Sequence, residues 1–429
     1  MYTGAITGDF AGNSELVALC DNNPGRLALR NSELEAKGAK PVPAYDAADF
    51  DRMVSECRPD VVIVTTRDCF HDVYIVRAME LGCDVITEKP MTTDAAKCAR
   101  ILETQRRTGR KVTVTFNYRY APPRTQIKDL LMSGVIGNVL SVSFEWLLNT
   151  RHGADYFRRW HRNKANSGGL MVHKATHHFD LVNWWLCDSP VRVYASGGLR
   201  FYGAENARKR GLGERPARGS VDDARRDRFS LDMRLDPELR RLYLEQEGHD
   251  GYLRDRDVFD DGITIEDNLS LVVDYASGAS MAYTLSAHGP WEGYTVAING
   301  TEGRAELTVV ERGAVLFDAE GRVIVDPSAD PVTTSSDDVR PTSERLVVQR
   351  HFEKARVVPI AKGSSGHGGG DELLLQDVFR GVSHDPLGRT ANWLDGVRSV
   401  AVGLAGNRSL ASGQPVNVDA LALGVEVSL

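Results

Sequence analysis

The chain has 429 residues, of which 42% are hydrophobic and 26% charged, with a formal net charge of -7. That length suits two domains of ordinary soluble composition, and the acidic balance without a compact basic stripe excludes a nucleic-acid surface. Six scattered cysteines with no Cys-x-x-Cys pair, no charged and apolar leader, and no bilayer-length apolar run point to a cytoplasmic protein without a membrane partner.

Residues 1–8 read as a helix. Strands are expected at 16–20 (ending at Asp21), 60–65, 84–87 and 111–116, with helices over 46–57, 72–81 and 93–108 between them. Uninterrupted Val/Ile runs imply strands covered on both faces, as in a parallel βαβ sheet. The first domain is therefore set at 1–120 and the second at 121–429. After Pro122-Pro123, a helix over 125–132 leads into longer strands at 139–148, 191–202, 268–275, 280–286 and 294–310, a mostly antiparallel open sheet. Residues 204–261 read as an Arg- and Asp-rich inserted region with some helix at 237–246, and 326–343 as irregular. Helices are expected at 371–380, with Asp371 as N-cap, and at 391–411, packing back toward the first domain.

Two segments carry chemistry. Thr87-Glu88-Lys89-Pro90 follows a strand and places a lysine where a parallel sheet opens into a crevice. Gly168-Gly169 then begins a stretch read as one helix, with His173, His177 and Asp180 at i, i+4 and i+7 on a shared face. A lysine and an imidazole in one crevice can move a proton off a hydroxyl while a nicotinamide takes the hydride. Asp21 is placed to bond ribose hydroxyls or to form a turn, a carboxylate there favouring NAD over NADP. Thr65 and Thr66 meet a cofactor or cap a helix; His71 lines the crevice or is structural. His-x-x-x-His also suits a metal, but no third ligand is in evidence, so none is assigned.

With these residues the chain resembles the Gfo/Idh/MocA oxidoreductase family over nearly its whole length. The resemblance implies a Rossmann-type domain and a second α+β domain with an open sheet that forms a homodimer or homotetramer contact. It implies NAD, with NADP possible, and a sugar, cyclitol or related polyol oxidised at a secondary hydroxyl. Lys89 and His177 are then catalytic and bind substrate, with His173 where many relatives carry an aspartate. Glu88, Asn117, Trp160 and Arg162 lie toward the cofactor, and Arg119, Asp180 and His367 toward substrate. The chain departs from the family in lacking the opening strand and its G-x-G-x-x-G turn. Either the given start is internal or the cofactor has been lost, and the first reading is preferred. Two rivals accompany the dehydrogenase: an NAD-dependent glycosidase working through transient oxidation, and a non-catalytic sugar- or partner-binding protein.

Overall fold

A computed structural model describes residues 1–315, 339–361, 369–382 and 384–424. Its strands, in chain order, are β1 (Leu19–Asp21), β2 (Ala44–Asp46), β3 (Val61–Val64), β4 (Asp84–Thr87), β5 (Val112–Val114), β6 (Val139–Asn149), β7 (Pro190–Gly198), β8 (Asn268–Tyr275), β9 (Ser280–Gly289), β10 (Glu292–Gly300), β11 (Gly303–Arg312), β12 (Ser343–Arg350), β13 (Arg356–Val358), β14 (Ala391–Asn392) and β15 (Val416–Asn417).

Strands β3, β4 and β5 are parallel and covered by helices Phe50–Cys57, His71–Glu80 and Ala95–Thr108. This is the Rossmann-like arrangement expected from the apolar runs. β1 and β2 make a separate parallel pair. The free edges of β1 and β3 face one cavity, lined by residues 15–21 on one side and 61–66 on the other. β14 joins β5 antiparallel and brings the C-terminal segment onto this sheet.

The second region is a nine-stranded sheet in the order β13-β12-β11-β10-β6-β9-β8-β7-β15, antiparallel throughout except where β6 runs parallel to β9. Alternate burial along β8 and β9 sends Leu269, Leu271, Met281, Tyr283 and Leu285 inward. Helices Thr176–Leu186 and Trp393–Ser412 cover that face. The small-residue texture of the second helix has a concrete use, since a Cβ on Gly403 would lie 2.7 Å from the Met171 carbonyl oxygen.

Several expectations shift. The run 294–310 is two strands, because Thr301 and Glu302 turn and donate their N–H groups to the Asn138 and Ile136 carbonyls, at 2.9 and 2.8 Å. Gly300 and Gly303 bracket that turn and were its signal. Helix Pro24–Ala36 lay hidden in a turn-like sequence; Asn23 caps it, accepting from Arg26 N at 3.1 Å, with Pro24 in the first turn. The C-terminal helix Gly370–Arg380 has Gly369 at its N-cap, so Asp371 sits inside the first turn. Most of 326–343 lies outside the described residues, and Ser343 already begins β12. The stretch after Gly169 is two short helices, Leu170–His173 and Thr176–Leu186, with a break at Lys174-Ala175. That break changes which side chains meet. Among the described residues, no helix is long and apolar enough to cross a membrane.

Candidate active site

The cleft between the two regions is a cavity of about 1060 Å³, bounded by the carboxyl ends of β1, β3 and β4 and by the opening of the second region. Ligands in open parallel sheets bind at this end. Asp21, Thr65, Thr66, Glu88, Lys89, Asn117, Trp160 and His177 all line it. A carboxylate at the end of β1 and two threonines at the end of β3 match a dinucleotide's ribose and phosphate chemistry, so these residues fit NAD. Asp21 accepts from Asn23 N at 2.8 Å, and burial raises its pKa. Glu88 accepts from the Tyr2 hydroxyl at 2.8 Å.

Lys89 donates through Nζ to the His173 carbonyl oxygen at 3.2 Å. Burial lowers its pKa to about 8, opposed by the Asp68 and Glu88 charges. The turn that carries it, with a cis Lys89-Pro90 bond, is anchored from below by His71. That ring is fully buried between the Pro90 carbonyl (Nδ1···O 2.8 Å) and the Thr66 carbonyl (Nε2···O 3.0 Å). Burial drives its pKa down to about 4, so it is a neutral brace and not a cavity group.

His177 enters from the first turn of helix Thr176–Leu186. Its ring stacks on Tyr118, with centroids 3.9 Å apart and planes 11° apart, and meets the edge of Phe116 at 6.1 Å. Gly168 and Gly169 set that approach: both hold positive φ, +71° and +79°, where a side chain is strained. Lys174 occupies the break between the helices and donates to the Tyr118 hydroxyl at 2.9 Å, lining the cavity beside His177.

Other expected site residues lie elsewhere. With the helix broken, His173 turns away and its Nδ1 meets Asp68 Oδ2 at 2.5 Å; burial pushes this pair toward its neutral forms. Asp180 points into the core, where Arg119 grips it through two bonds of 2.8 and 2.6 Å, both side chains 2% exposed or less. That bidentate pair joins the helix to the Asn117–Tyr120 turn. Arg162 reaches the Asp257 and Asp261 carbonyls and Asp260, fastening the inserted region and leaving the cavity to its neighbour Trp160. His367 falls outside the described residues. Among the described residues, no cluster of three or more His, Cys, Asp or Glu side chains is placed to hold a metal.

The second region adds groups that sequence reasoning passed over. Helix Thr150–Arg158 is capped by Asn149, which accepts from Arg151 N and His152 N at 2.9 Å each. It presents His152 and Tyr156 one turn apart, with the Tyr156 hydroxyl 3.3 Å from His152 Nε2 and His152 Nδ1 2.7 Å from buried Glu292. The helix sits hard against β9: a Cβ on Gly153 would lie 1.7 Å from the Ala287 carbonyl oxygen. The i, i+4 spacing of His152 and Tyr156 was the available signal. From the inserted region, Tyr243 and Tyr252 close the far wall. The insert also crosses to the first region, where Asn23 donates to the Gln246 carbonyl at 3.0 Å and Arg26 pairs with Asp250 at 2.8 Å.

Comparisons with known proteins agree with this architecture. The profile described as "Oxidoreductase family, NAD-binding Rossmann fold" matches residues 4–116, and "Oxidoreductase family, C-terminal alpha/beta domain" matches 128–418. The Bacillus subtilis protein YteT is 36% identical, the match covering 98% of this chain and 95% of YteT. An inositol 2-dehydrogenase/D-chiro-inositol 3-dehydrogenase of Lactiplantibacillus plantarum is 26% identical over 43% of this chain and 49% of its own length. Among solved structures, the WlbA dehydrogenase of Bordetella pertussis in complex with NADH and UDP-GlcNAcA aligns with a TM-score of 0.58 at 16% identity, covering 97% of this chain and 94% of that one.

Proposed function

From the premise that the chain belongs to the Gfo/Idh/MocA oxidoreductase family and carries its NAD-binding fold, we propose that it oxidises a secondary hydroxyl of a sugar, cyclitol or related polyol. The observation that carries this reading is the convergence of Lys89 and His177 on one cavity whose other end holds Asp21, Thr65 and Thr66. Named relatives that dehydrogenate inositol support the substrate class.

Asp21 would take the adenosine ribose hydroxyls, Thr65 and Thr66 the middle of the cofactor, and Glu88, Asn117 and Trp160 its nicotinamide half. Bound NAD supplies the hydride acceptor. His177 takes the hydroxyl proton, its ring held flat against Tyr118 at the cavity wall. The Lys89 ammonium stabilises the charge that develops on the substrate oxygen. His71 keeps that ammonium in place by packing between Pro90, at the end of the turn, and Thr66, just past β3. The rings of Tyr118, Tyr156 and Trp160 along the cavity exclude water and present an apolar surface to a sugar ring.

The proposal extends to organisation: a cofactor domain at 1–120, a substrate domain at 121–429, and a cytoplasmic homodimer or homotetramer joined through the open sheet. The outer sheet face is lined by Ser143, Thr284, Thr295 and Thr308, with Tyr194 and Val272 exposed, which suits pairing with a second copy. Light scattering on the purified chain measures this directly, and a monomer at micromolar concentration would reject it. The activity test is NADH formation at 340 nm with NAD+ and a panel of inositols and aldoses. Net NADH with at least one polyol is expected. Aryl-glycoside hydrolysis without net NADH would replace the dehydrogenase with the glycosidase.

A further inference from the structure

Arg159 sits at the end of helix Thr150–Arg158 and lines the cavity beside Trp160, Tyr156 and Tyr252. Its one ion-pair partner among the described residues is Asp155, at 3.4 Å. Asp155 is already committed: Arg254 takes it through bonds of 2.7 and 3.0 Å, and Arg158 lies 3.8 Å away. One carboxylate thus faces three guanidinium groups. Arg254 and Arg158 are 5% exposed, while Arg159 is 30% exposed toward the cavity, and its Nε has no hydrogen-bond partner.

Two further cations line the same cavity. Lys174 donates to a neutral phenol, Tyr118, and Lys89 to a backbone carbonyl, with no carboxylate within ion-pairing distance of either ammonium among the described residues. Tyr156 lies between them, feeling the charge of both Lys174 and Arg159. The carboxylates that line the cavity have partners of their own, Glu88 accepting from Tyr2 and Asp371 from Asn117. Glu88 and Asp371 flank the amino terminus at Met1, Asp21 faces Arg26, and Glu15 belongs to the segment leading into β1. Lys89, Lys174 and Arg159 thus all line the half that holds His177, where Asp68 and Glu88 offset the charge of Lys89 while Arg159 has only a share of Asp155.

Cations that share a counter-ion or make no ion pair of their own in a partly desolvated cleft attract an anion. The planar fork of an arginine matches a carboxylate with two parallel bonds. We propose that the substrate is an acidic sugar, a uronate or a sugar carrying an equivalent carboxylate, with Arg159 gripping that carboxylate while Lys89 and His177 face the hydroxyl to be oxidised. Lys174 adds a second positive charge beside His177. This inference rests on the dehydrogenase reading for the reacting end and on the charge arrangement alone for the carboxylate end.

The test compares matched pairs, D-glucuronate with D-glucose and D-galacturonate with D-galactose. Initial rates of NAD+ reduction are measured beside direct binding, followed by the tryptophan fluorescence that Trp160 brings to the cavity wall. At least one acid is expected to exceed its neutral partner by about 10²-fold in kcat/KM, the scale of a charged bidentate contact. Arg159→Gln should erase most of that ratio, and Lys174→Gln should lower it as an independent variant. An acid that binds tightly without being oxidised supports the inference and removes the dehydrogenase reading. Equal or better turnover of the neutral sugar removes the inference and keeps the dehydrogenase. No preferential binding of either acid also overturns it. The cofactor's phosphates are the rival anion: an Arg159→Gln chain that loses affinity for NADH with the acid-to-neutral ratio unchanged assigns the arginine to the cofactor and overturns the proposal.

Discussion

The two sheets of this protein stand in opposite states of closure. In the nine-stranded sheet, Phe144, Trp146, Val273, Tyr283 and Ile298 are all 2% exposed or less under two helices. In the parallel region, β1 and β3 each leave an edge facing the cavity, and Val61 at the start of β3 is 41% exposed. One region has used its strands to make a core, whereas the other keeps two strand ends open as the wall of a cleft. A lesion in the first should be read in folding, and a lesion in the second in binding and turnover.

The largest expected effects fall on the closed side, at Asp180 and Ile298. Asp180→Ala leaves the buried Arg119 guanidinium with the Gly388 carbonyl at 3.2 Å and, as its remaining carboxylate, the more exposed Asp395 at 3.1 Å, and should lower stability by about 3 kcal/mol. A denaturation midpoint unchanged from the parent would show that the helix carrying His177 does not need this pair. On the open side, Lys89→Ala and His177→Ala should each reduce turnover by about 10²-fold or more with melting temperature preserved, the usual scale of acid–base groups. Near-normal turnover in either variant would remove that residue from the mechanism.

A smaller effect concerns pH. Burial lowers the Lys89 pKa to about 8, so its ammonium is present below that pH and lost above it. If the charge stabilises the substrate oxygen, kcat/KM for alcohol oxidation should fall as pH rises through 8. The residual activity of Lys89→Ala should lack that limb, and the same limb in the variant would assign it to another group. The smallest effect is expected at the open edge. Val61→Ala removes a side chain already much in contact with solvent, and should cost under about 1 kcal/mol. Ile298→Ala in the closed sheet should cost about 2–5 kcal/mol. Equal costs at the two positions would break the comparison.

Much of this architecture was legible along the chain because its signals are local. Val61-Val62-Ile63-Val64 is apolar without alternation, the pattern of a parallel strand, although in the fold β3 lines the cavity and only Val64 is buried, whereas β8 and β9 alternate because one of their faces is open. Lys89 was legible because a proline fixes the turn just past a strand end. Elements built on small local cues were harder to see. Asn23-Pro24 reads equally as a turn or as a capped helix start, and the tight Gly300–Gly303 turn is masked by the apolar alternation on either side.

By itself, the sequence determined the βα alternation, the second open sheet, the Glu-Lys-Pro turn and the Gly-Gly entry to His177. Each depends on spacing within a few residues. Tertiary structure decided which side chains share the cavity. A two-residue break sends Lys174 in and His173 out to Asp68, a difference that helical periodicity cannot encode because the break satisfies contacts more than fifty residues away. It likewise decided that Arg119 and Asp180 neutralise each other in the core, that His71 braces a turn, and that three arginines share Asp155. Charge balance is a property of neighbours in space, and the chain that supplies those neighbours is folded from distant segments.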